Sequence, residues 1–503
     1  MSFIDLAKSL LNITETENGD KAYVSTLSPC LDYFALVGGK RDKLKECYYL
    51  FCHAFAEDKV TAIKLLFYTR DIRQGLGEKD IFRFLFYMLA KNEPEIAIKM
   101  IPYIPSYGRY DDLLFALETP VQDEVISFIG NKLKEDINNK INHRPISLLA
   151  KWLPSINTSN AKSRYYARII AKGLNLSYKQ YRKDLAYLRG YYIIENYLRE
   201  KRYDFEYSKI PSVALNKYRL AFRKNDKERF EKYLEEVKTG KTKMNVDTLD
   251  VVTFISQVRG NYQIVVSDEL DYYQTAWEKI VGDNKIDSHM IVVRDGSGSM
   301  YMHDRSYRVH GPIDIADAMA LLTAERLSGA FHDKFITFSS RPKLVDLSNY
   351  NNIYEKVSYI RFLDDCSNTD IQKVYELILD VYKMPDFKPE DALDKILIVS
   401  DMEFDYLNQE FKFETARPVN KSTFEYFKEE FSKLNYPMPE LVYWNVESRG
   451  FKVPVTKNEL GVKLVSGSNK NIIDMIMNNE SLDPYDFMSK VLKKYSFVDE
   501  LFK

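Results

Sequence analysis

The sequence predicts two unlike parts, an all-α helical-repeat module followed by a doubly wound α/β domain, and so a multidomain α and α/β protein. Three observations predict this. Up to about residue 285 the apolar positions recur at three and four; from about 286 short β-branched runs alternate with amphipathic helices; and the turn-like stretch "VGDNKIDS" at 281–288 lies between the two patterns. At 503 residues and 45% apolar, the chain is long enough for two or three cores.

In chain order, residues 1–24 form an N-terminal segment with too short an apolar run and too many acids for a secretory signal. From 25 to 285 come helices such as "KLKECYYLFCHAFAEDKVTAIKLLFYTRDI", "EKDIFRFLFYMLAKNEPEIAIKMIPYI" and "DEVISFIGNKLKEDINNK", broken at Gly, Pro or Asn. Their lengths and short connections predict stacked hairpins of the HEAT-like, solenoid kind, although no fixed sequence period is present. From 286 to 503 the expected strands are "HMIVVRD", "DKFITFSS", "PKLVDLS", "KILIVSD", "ELVYWNVES" and "GVKLVSG", with helices "GPIDIADAMALLTAERLSG", "NTDIQKVYELILDVYKM" and "NKSTFEYFKEEFSKL" between them. Apolar strands separated by amphipathic helices predict a mostly parallel sheet covered on both faces.

Net charge is −1, so nucleic acid or an anionic membrane cannot be inferred from the total. Four cysteines without paired spacing point to a reducing compartment, and no apolar run is long enough to span a bilayer. The expectation is a cytoplasmic, monomeric protein with no membrane partner.

The first strand runs into "RDGSGSM" at 294–300, where a doubly wound sheet places its ligands. A phosphate loop needs a lysine after its second glycine, and none is there. The chain's one Gly-Lys-Thr, at 240–242, has Glu235 in place of the first glycine. A serine-hydrolase elbow needs Gly-x-Ser-x-Gly, which neither Ser297 nor Ser299 satisfies. A hard-cation site remains: Asp295, Ser297 and Ser299 alternate on one loop, while Thr369 in "CSNTD" and Asp401 after "ILIVS" offer two further oxygens. Oxygen donors without sulfur or imidazole suit Mg²⁺ or Mn²⁺. Glu403 and Asp405, close to Asp401, leave a two-metal nuclease as an enzymatic alternative, although spacing identifies no second acidic set.

Asp295-x-Ser297-x-Ser299, Thr369 and Asp401 resemble the metal-ion-dependent adhesion site of von Willebrand factor A domains, over about 286–503. The resemblance implies direct coordination by both serines, coordination by the threonine and aspartates directly or through water, and an open position for an acidic group on a partner protein. Ser367-Asn368 departs from the glycines common in that family. In the first half, "LLFYTRDIRQGLGEKDIFRFL", "YIPSYGRYDDLL", "SLLAKWLPSINTSN", "YKQYRKDLAYLR" and "KIPSVALNKYRLAFRKND" resemble the TROVE module of Ro ribonucleoproteins, over about 25–285 and nearer to their Ro-like relatives. That resemblance implies helical hairpins bent into a ring closed by the A domain, and binding of small noncoding RNA and of the single-stranded ends of misfolded RNA.

Charge supplies an independent reason to expect RNA. Residues 161–243 carry 22 Lys/Arg against 10 Asp/Glu, with 12 of the chain's 37 tyrosines. Lys162, Arg164, Arg168, Lys179, Arg182, Lys183 and Arg189 are the candidate phosphate contacts, with tyrosines to stack on unpaired bases. The bland alternative is a solvated basic face over half-buried tyrosines. Arg73 and Lys79 flank the Gly75/Gly77 loop and join the candidates, although Asp71 and Glu78 are local partners for them. Arg70 and Arg83 lie in the same matched stretch, Arg109, Asp111 and Asp112 look structural with Asp111 as a helix cap, and Trp152 is expected to pack with Lys151 pointing out. The leading expectation is a non-enzymatic RNA-binding protein with a divalent-cation site; a metal-dependent scaffold without RNA is the second reading and a metal nuclease the third.

Overall fold

The computed structural model describes residues 7, 11–17, 19–189, 194–260, 267–282, 285–301, 310–338, 341–363, 371–404 and 423–503. It divides into two compact units, Met1–Leu65 with Leu249–Lys494, and Leu66–Thr248 with Tyr495–Lys503. The expected boundary at 285/286 therefore falls inside the first unit.

That unit holds a two-stranded hairpin, β1 (Ile13–Glu15) and β2 (Lys21–Tyr23), and a six-stranded sheet. The sheet's strands are β3 (Met290–Asp295), β4 (Lys334–Phe338), β5 (Leu344–Asp346), β6 (Lys395–Ser400), β7 (Glu440–Asn445) and β8 (Val462–Ser466), in the order β5-β4-β3-β6-β7-β8. All pairs are parallel except β4–β5. Each of the six expected apolar runs contains one strand. Every residue of the inner strand β3 is buried, as coverage on both faces requires, and so is every residue of the parallel edge strand β8, whereas the short antiparallel edge β5 buries only its middle residue. The helix Pro312–Arg326 starts with proline in its first turn, buries twelve of its fifteen residues, and packs on β3, β4 and β6.

Two stretches expected in the helical module belong to this unit instead. Helices Val251–Gly260 and Ser267–Val281 pack on Pro312–Arg326 and Ile353–Ile360. Helix Pro29–Leu36, capped by the Ser28 hydroxyl, buries seven of its eight residues and packs on β8. Just beyond it, a Cβ at Gly38 would lie 2.5 Å from the Ser466 backbone, and the Gly38 N–H donates to Ser466 Oγ at 3.0 Å. Only glycine allows that approach. Helical periodicity states that one face is buried; it does not state against what.

The second unit is helical, and its main helices pack on chain neighbours, as Ala161–Gly173 does on Tyr178–Arg189 and Ser212–Asn225 on Lys227–Lys238. Gly240, with φ +72°, ends the last of these, so the Gly-Lys-Thr stretch is a helix terminus. The final nine residues, expected in the α/β domain, also belong here. Phe497 stacks on Tyr103 and Tyr107 and meets Phe67 edge-on, and Tyr495 donates to Asp71 at 3.1 Å. Among the described residues no helix is long and apolar enough to cross a membrane.

Candidate cation site at the carboxyl edge of the sheet

Numbering the six sheet strands in chain order gives 3-2-1-4-5-6. Successive connections from β3 run to one side through β4, and the chain then returns to β3's other side with β6, so the crevice between β3 and β6 is a topological switch point. Asp295 is the last residue of β3, Ser400 the last of β6, and Asp401 follows. Two parallel strands in register thus bring residues 105 positions apart into hydrogen-bond contact: the Ser400 hydroxyl donates to Asp295 Oδ2 at 2.5 Å.

The rest of the loop closes on the same point. Ser297 N–H donates to Asp295 Oδ1 at 2.8 Å, and the Ser297 and Ser299 hydroxyls lie 2.9 Å apart. Met402, with φ +66°, occupies the left-handed region that a side chain adopts at a cost of about 1–3 kcal/mol; its N–H donates to Ser400 Oγ at 3.0 Å. Asp401 is the incompletely satisfied member. Its Oδ1 accepts a long 3.4 Å bond from Glu403 N–H, and its Oδ2 accepts none among the described residues. Arg449 Nη2 lies 3.1 Å from that oxygen, within ion-pair range but off the line of a hydrogen bond.

Burial raises the Asp295 carboxyl above its ordinary range, and burial together with the charge of Asp295 pushes Asp401 up to about 7; Arg449 and Ser299 pull Asp401 back down. Two carboxylates and two hydroxyls, with one buried acceptor open, fit a hard dication, which would neutralise the repulsion that lifts them. Asp295, Ser297, Ser299 and Asp401 are brought together as expected; Thr369 and Asp405 lie outside the described residues. Among those residues no group of three or more His, Cys, Asp or Glu has metal-binding proximity, so the fit rests on the hydroxyls as much as on the carboxylates.

Spacing gave no sign of three participants. Ser400 carries the weak signal of a polar residue ending an apolar strand. Arg449 and Glu17 carry none. Arg449, in the loop after β7, reaches Ser299 O at 2.8 Å and Glu17 Oε2 at 2.8 Å. Glu17 lies in the β1–β2 turn, which is tied down by Glu17 N–H on Glu403 Oε2 at 2.7 Å and Thr16 Oγ1 on Phe404 O at 2.6 Å. Glu403 is thereby an anchor for the hairpin. Beside it a cleft of about 20 Å³, room for about one water, is lined by Asp401, Glu403, Tyr375, Tyr443 and Arg449.

In the helical unit the basic candidates separate into two kinds. Arg168, Lys179, Arg182 and Lys183 are exposed, and no ion pair among the described residues neutralises them. Lys162 is exposed and lies over the rings of Phe115 and Tyr166. Tyr165, Tyr178 and Tyr187 are about half exposed beside them. Lys179, Lys183 and Tyr187 follow at intervals of four and so share one helix face. Arg164 and Arg189, by contrast, hold loops. Arg164 donates to Thr158 O and Ser159 O; Arg189 donates to Ala150 O at 2.7 Å and also to Ser155 Oγ and Leu153 O. Arg73 donates to Ser106 O at 3.1 Å, and Lys79 lies 3.5 Å from Asp80.

Arg70, Arg83 and Arg109 meet Asp111 and Asp112 in one network. The helical turn there is capped by Asp112, which accepts from Arg109 N–H at 2.9 Å; Asp111, the expected cap, pairs with Arg83 and Arg109 instead. Trp152 is half-buried under the Arg109 guanidinium, 4.1 Å from its ring centre; Lys151 is exposed, but its ammonium lies over the same ring at 5.5 Å rather than pointing away from it.

Two sequence families meet at β3. Residues 16–126 and 121–289 match a domain of unknown function, DUF2828, and residues 289–496 match another, DUF7788. The chain belongs to the DUF2828 family. Uncharacterized protein L728 of Acanthamoeba polyphaga mimivirus is 30% identical, over 97% of this chain and 88% of that protein. No solved structure matches the chain. Within this DUF2828 protein, Glu17 falls in the DUF2828 match, whereas Asp295, Ser297, Ser299, Asp401 and Arg449 fall in the DUF7788 match.

Proposed function

We propose that this chain is a non-enzymatic RNA-binding protein of Ro type, which takes small noncoding or misfolded RNA on the helices Ala161–Gly173 and Tyr178–Arg189 and holds Mg²⁺ or Mn²⁺ at Asp295, Ser297, Ser299 and Asp401. The observation that carries the RNA reading is the outward stripe of Lys179, Lys183 and Tyr187, with Arg168, Arg182, Tyr165 and Tyr178 also exposed on these two helices: cations that no ion pair among the described residues neutralises, for phosphates, with aromatic faces for unpaired bases. Buried Tyr166 and Tyr181 serve packing, and Tyr181 donates to Pro154 O at 3.0 Å. The HEAT-like and A-domain readings belong to the same proposal. They are supported by neighbour-on-neighbour helix packing and by the 3-2-1-4-5-6 strand order with an antiparallel edge. Fluorescence anisotropy with a single-stranded RNA across a salt series tests the reading. Steep salt dependence that weakens in a Lys179→Ala/Lys183→Ala variant is the expected result; binding that ignores salt, or no binding, rejects it.

The cation site supports a second reading, a metal-dependent protein contact, because Asp401 Oδ2 is a buried acceptor that receives no hydrogen bond among the described residues. Capture of an acidic partner that is lost with EDTA or Asp295→Ala, RNA affinity being retained, is its signature. Mg²⁺-dependent RNA cleavage abolished by Asp401→Ala would instead establish the nuclease alternative.

A further inference from the structure

Arg449 brings a positive charge of the protein's own to the candidate cation site. Its backbone is fixed: Ser448 N–H donates to Gly39 O at 2.9 Å, Ser448 Oγ to Leu36 O at 3.1 Å, and Lys43 Nζ to Arg449 O at 3.1 Å. From that anchored loop the guanidinium divides itself between two carboxylates in different environments. Nη2 lies 3.1 Å from Asp401, which is buried, while Nη1 donates at 2.8 Å to Glu17, whose side chain is 49% exposed on the hairpin turn.

We infer that Arg449 is a tethered cation that competes with the divalent ion for Asp401, and that Glu17 is the carboxylate that receives its guanidinium when the ion binds. This rests on the cation reading above. Asp295 and Asp401 carry two negative charges when ionised; Arg449 offsets one of them, and a dication offsets both. Once a dication is present the guanidinium is repelled from a region of low dielectric, where charges act at greater strength than in water. Glu17 is already in contact with it, so the shift moves one side chain away from Asp401, and from the Ser299 carbonyl that Nη2 also reaches at 2.8 Å, toward a carboxylate it already holds. Because Glu17 N–H is bonded to Glu403 Oε2 at 2.7 Å, ion occupancy then sets how firmly the β1–β2 hairpin is clamped to the loop after β6. A purely structural strap would hold Asp401 and Glu17 equally with or without the ion.

The coupling is reciprocal: whatever the ion does to the Arg449–Asp401 contact, removing that contact does to ion affinity. The test is calorimetric titration of Mn²⁺ into the full chain and its Arg449→Gln, Arg449→Lys, Glu17→Gln and Asp295→Asn variants. Arg449→Gln is expected to tighten Mn²⁺ about tenfold and Glu17→Gln to weaken it about threefold, within the usual range of such couplings; Arg449→Lys stays near the parent. Asp295→Asn removes binding. Asp295-dependent binding that is unchanged or weaker in Arg449→Gln overturns the inference while leaving the cation reading intact. Binding absent from both the parent and Arg449→Gln overturns both. Binding that appears only in Arg449→Gln, and needs Asp295, supports both. If Arg449→Gln does not fold, Glu17→Gln decides, with weakened affinity in favour and unchanged affinity against.

Discussion

Asp112 in the helical unit and Asp401 in the sheet unit are both almost wholly buried, and they are satisfied very differently. Asp112 Oδ1 accepts from Arg83 Nε at 2.6 Å, and its Oδ2 accepts from Arg70 Nε at 2.7 Å and Arg109 N–H at 2.9 Å. Asp401 has one long hydrogen bond, and its Oδ2 accepts none among the described residues, with only the Arg449 guanidinium 3.1 Å away. A buried carboxylate surrounded by matched donors is part of the scaffold, because its desolvation is offset within the protein. One left short of donors retains affinity for a cation from outside. The same amino acid in the same degree of burial is a rivet in one place and a candidate ligand in the other.

Substitution separates the two most sharply. Asp112→Ala takes the carboxylate from the buried Arg70 guanidinium and leaves Arg83 with Asp111 alone, and is expected to cost about 3–5 kcal/mol in urea unfolding. Asp401→Asn in the ion-free protein is expected to change stability by no more than about 1 kcal/mol, because it removes a charge that burial already disfavours. Equal losses for the two variants would end the distinction. Next in size is the ion itself. At 100 times its dissociation constant Mn²⁺ should add about 2.7 kcal/mol to thermal unfolding, reversed by EDTA and absent from Asp295→Ala.

The basic helices repeat the comparison on a smaller scale. Arg189→Ala is expected to cost about 1–3 kcal/mol, since it strands acceptors in the 150–155 loop, and to leave the salt dependence of RNA binding unchanged. Lys179→Ala and Lys183→Ala should each stay within about 0.5 kcal/mol in stability, yet each should lower the log–log salt slope for single-stranded RNA by about 0.7. Anisotropy and denaturant melts on the same preparations read both quantities.

The strands of the main sheet that are buried on both faces were legible because such a strand must be apolar along its length, as "MIVVRD" and "KILIVS" nearly are. The pairing of Asp295 with the strand carrying Asp401 was legible from the alternating oxygens of one loop and the strand ends. Other placements were not. "PCLDYFAL" at 29–36 has the periodicity of any amphipathic helix, and nothing in it states that its neighbour is β8. "YDDLL" and "VSDME" both carry carboxylates near apolar residues, and only the first meets three arginines. Arg189 is indistinguishable by sequence from Lys183, six positions earlier on the same helix, yet one points into a loop of carbonyls and the other into water.

The sequence by itself determined the local geometry of this protein: where helices and strands form, and which loop carries alternating oxygens. These depend on the 3.6 and 2.0 residue periods of the backbone and on contacts a few positions apart. Tertiary structure alone decided which charges are satisfied, which helices cover the sheet, and that Glu17 and Arg449, 432 positions apart, meet at Asp401. Satisfaction of a buried charge is a matter of distance and desolvation in space, and a linear sequence carries neither until the chain has folded.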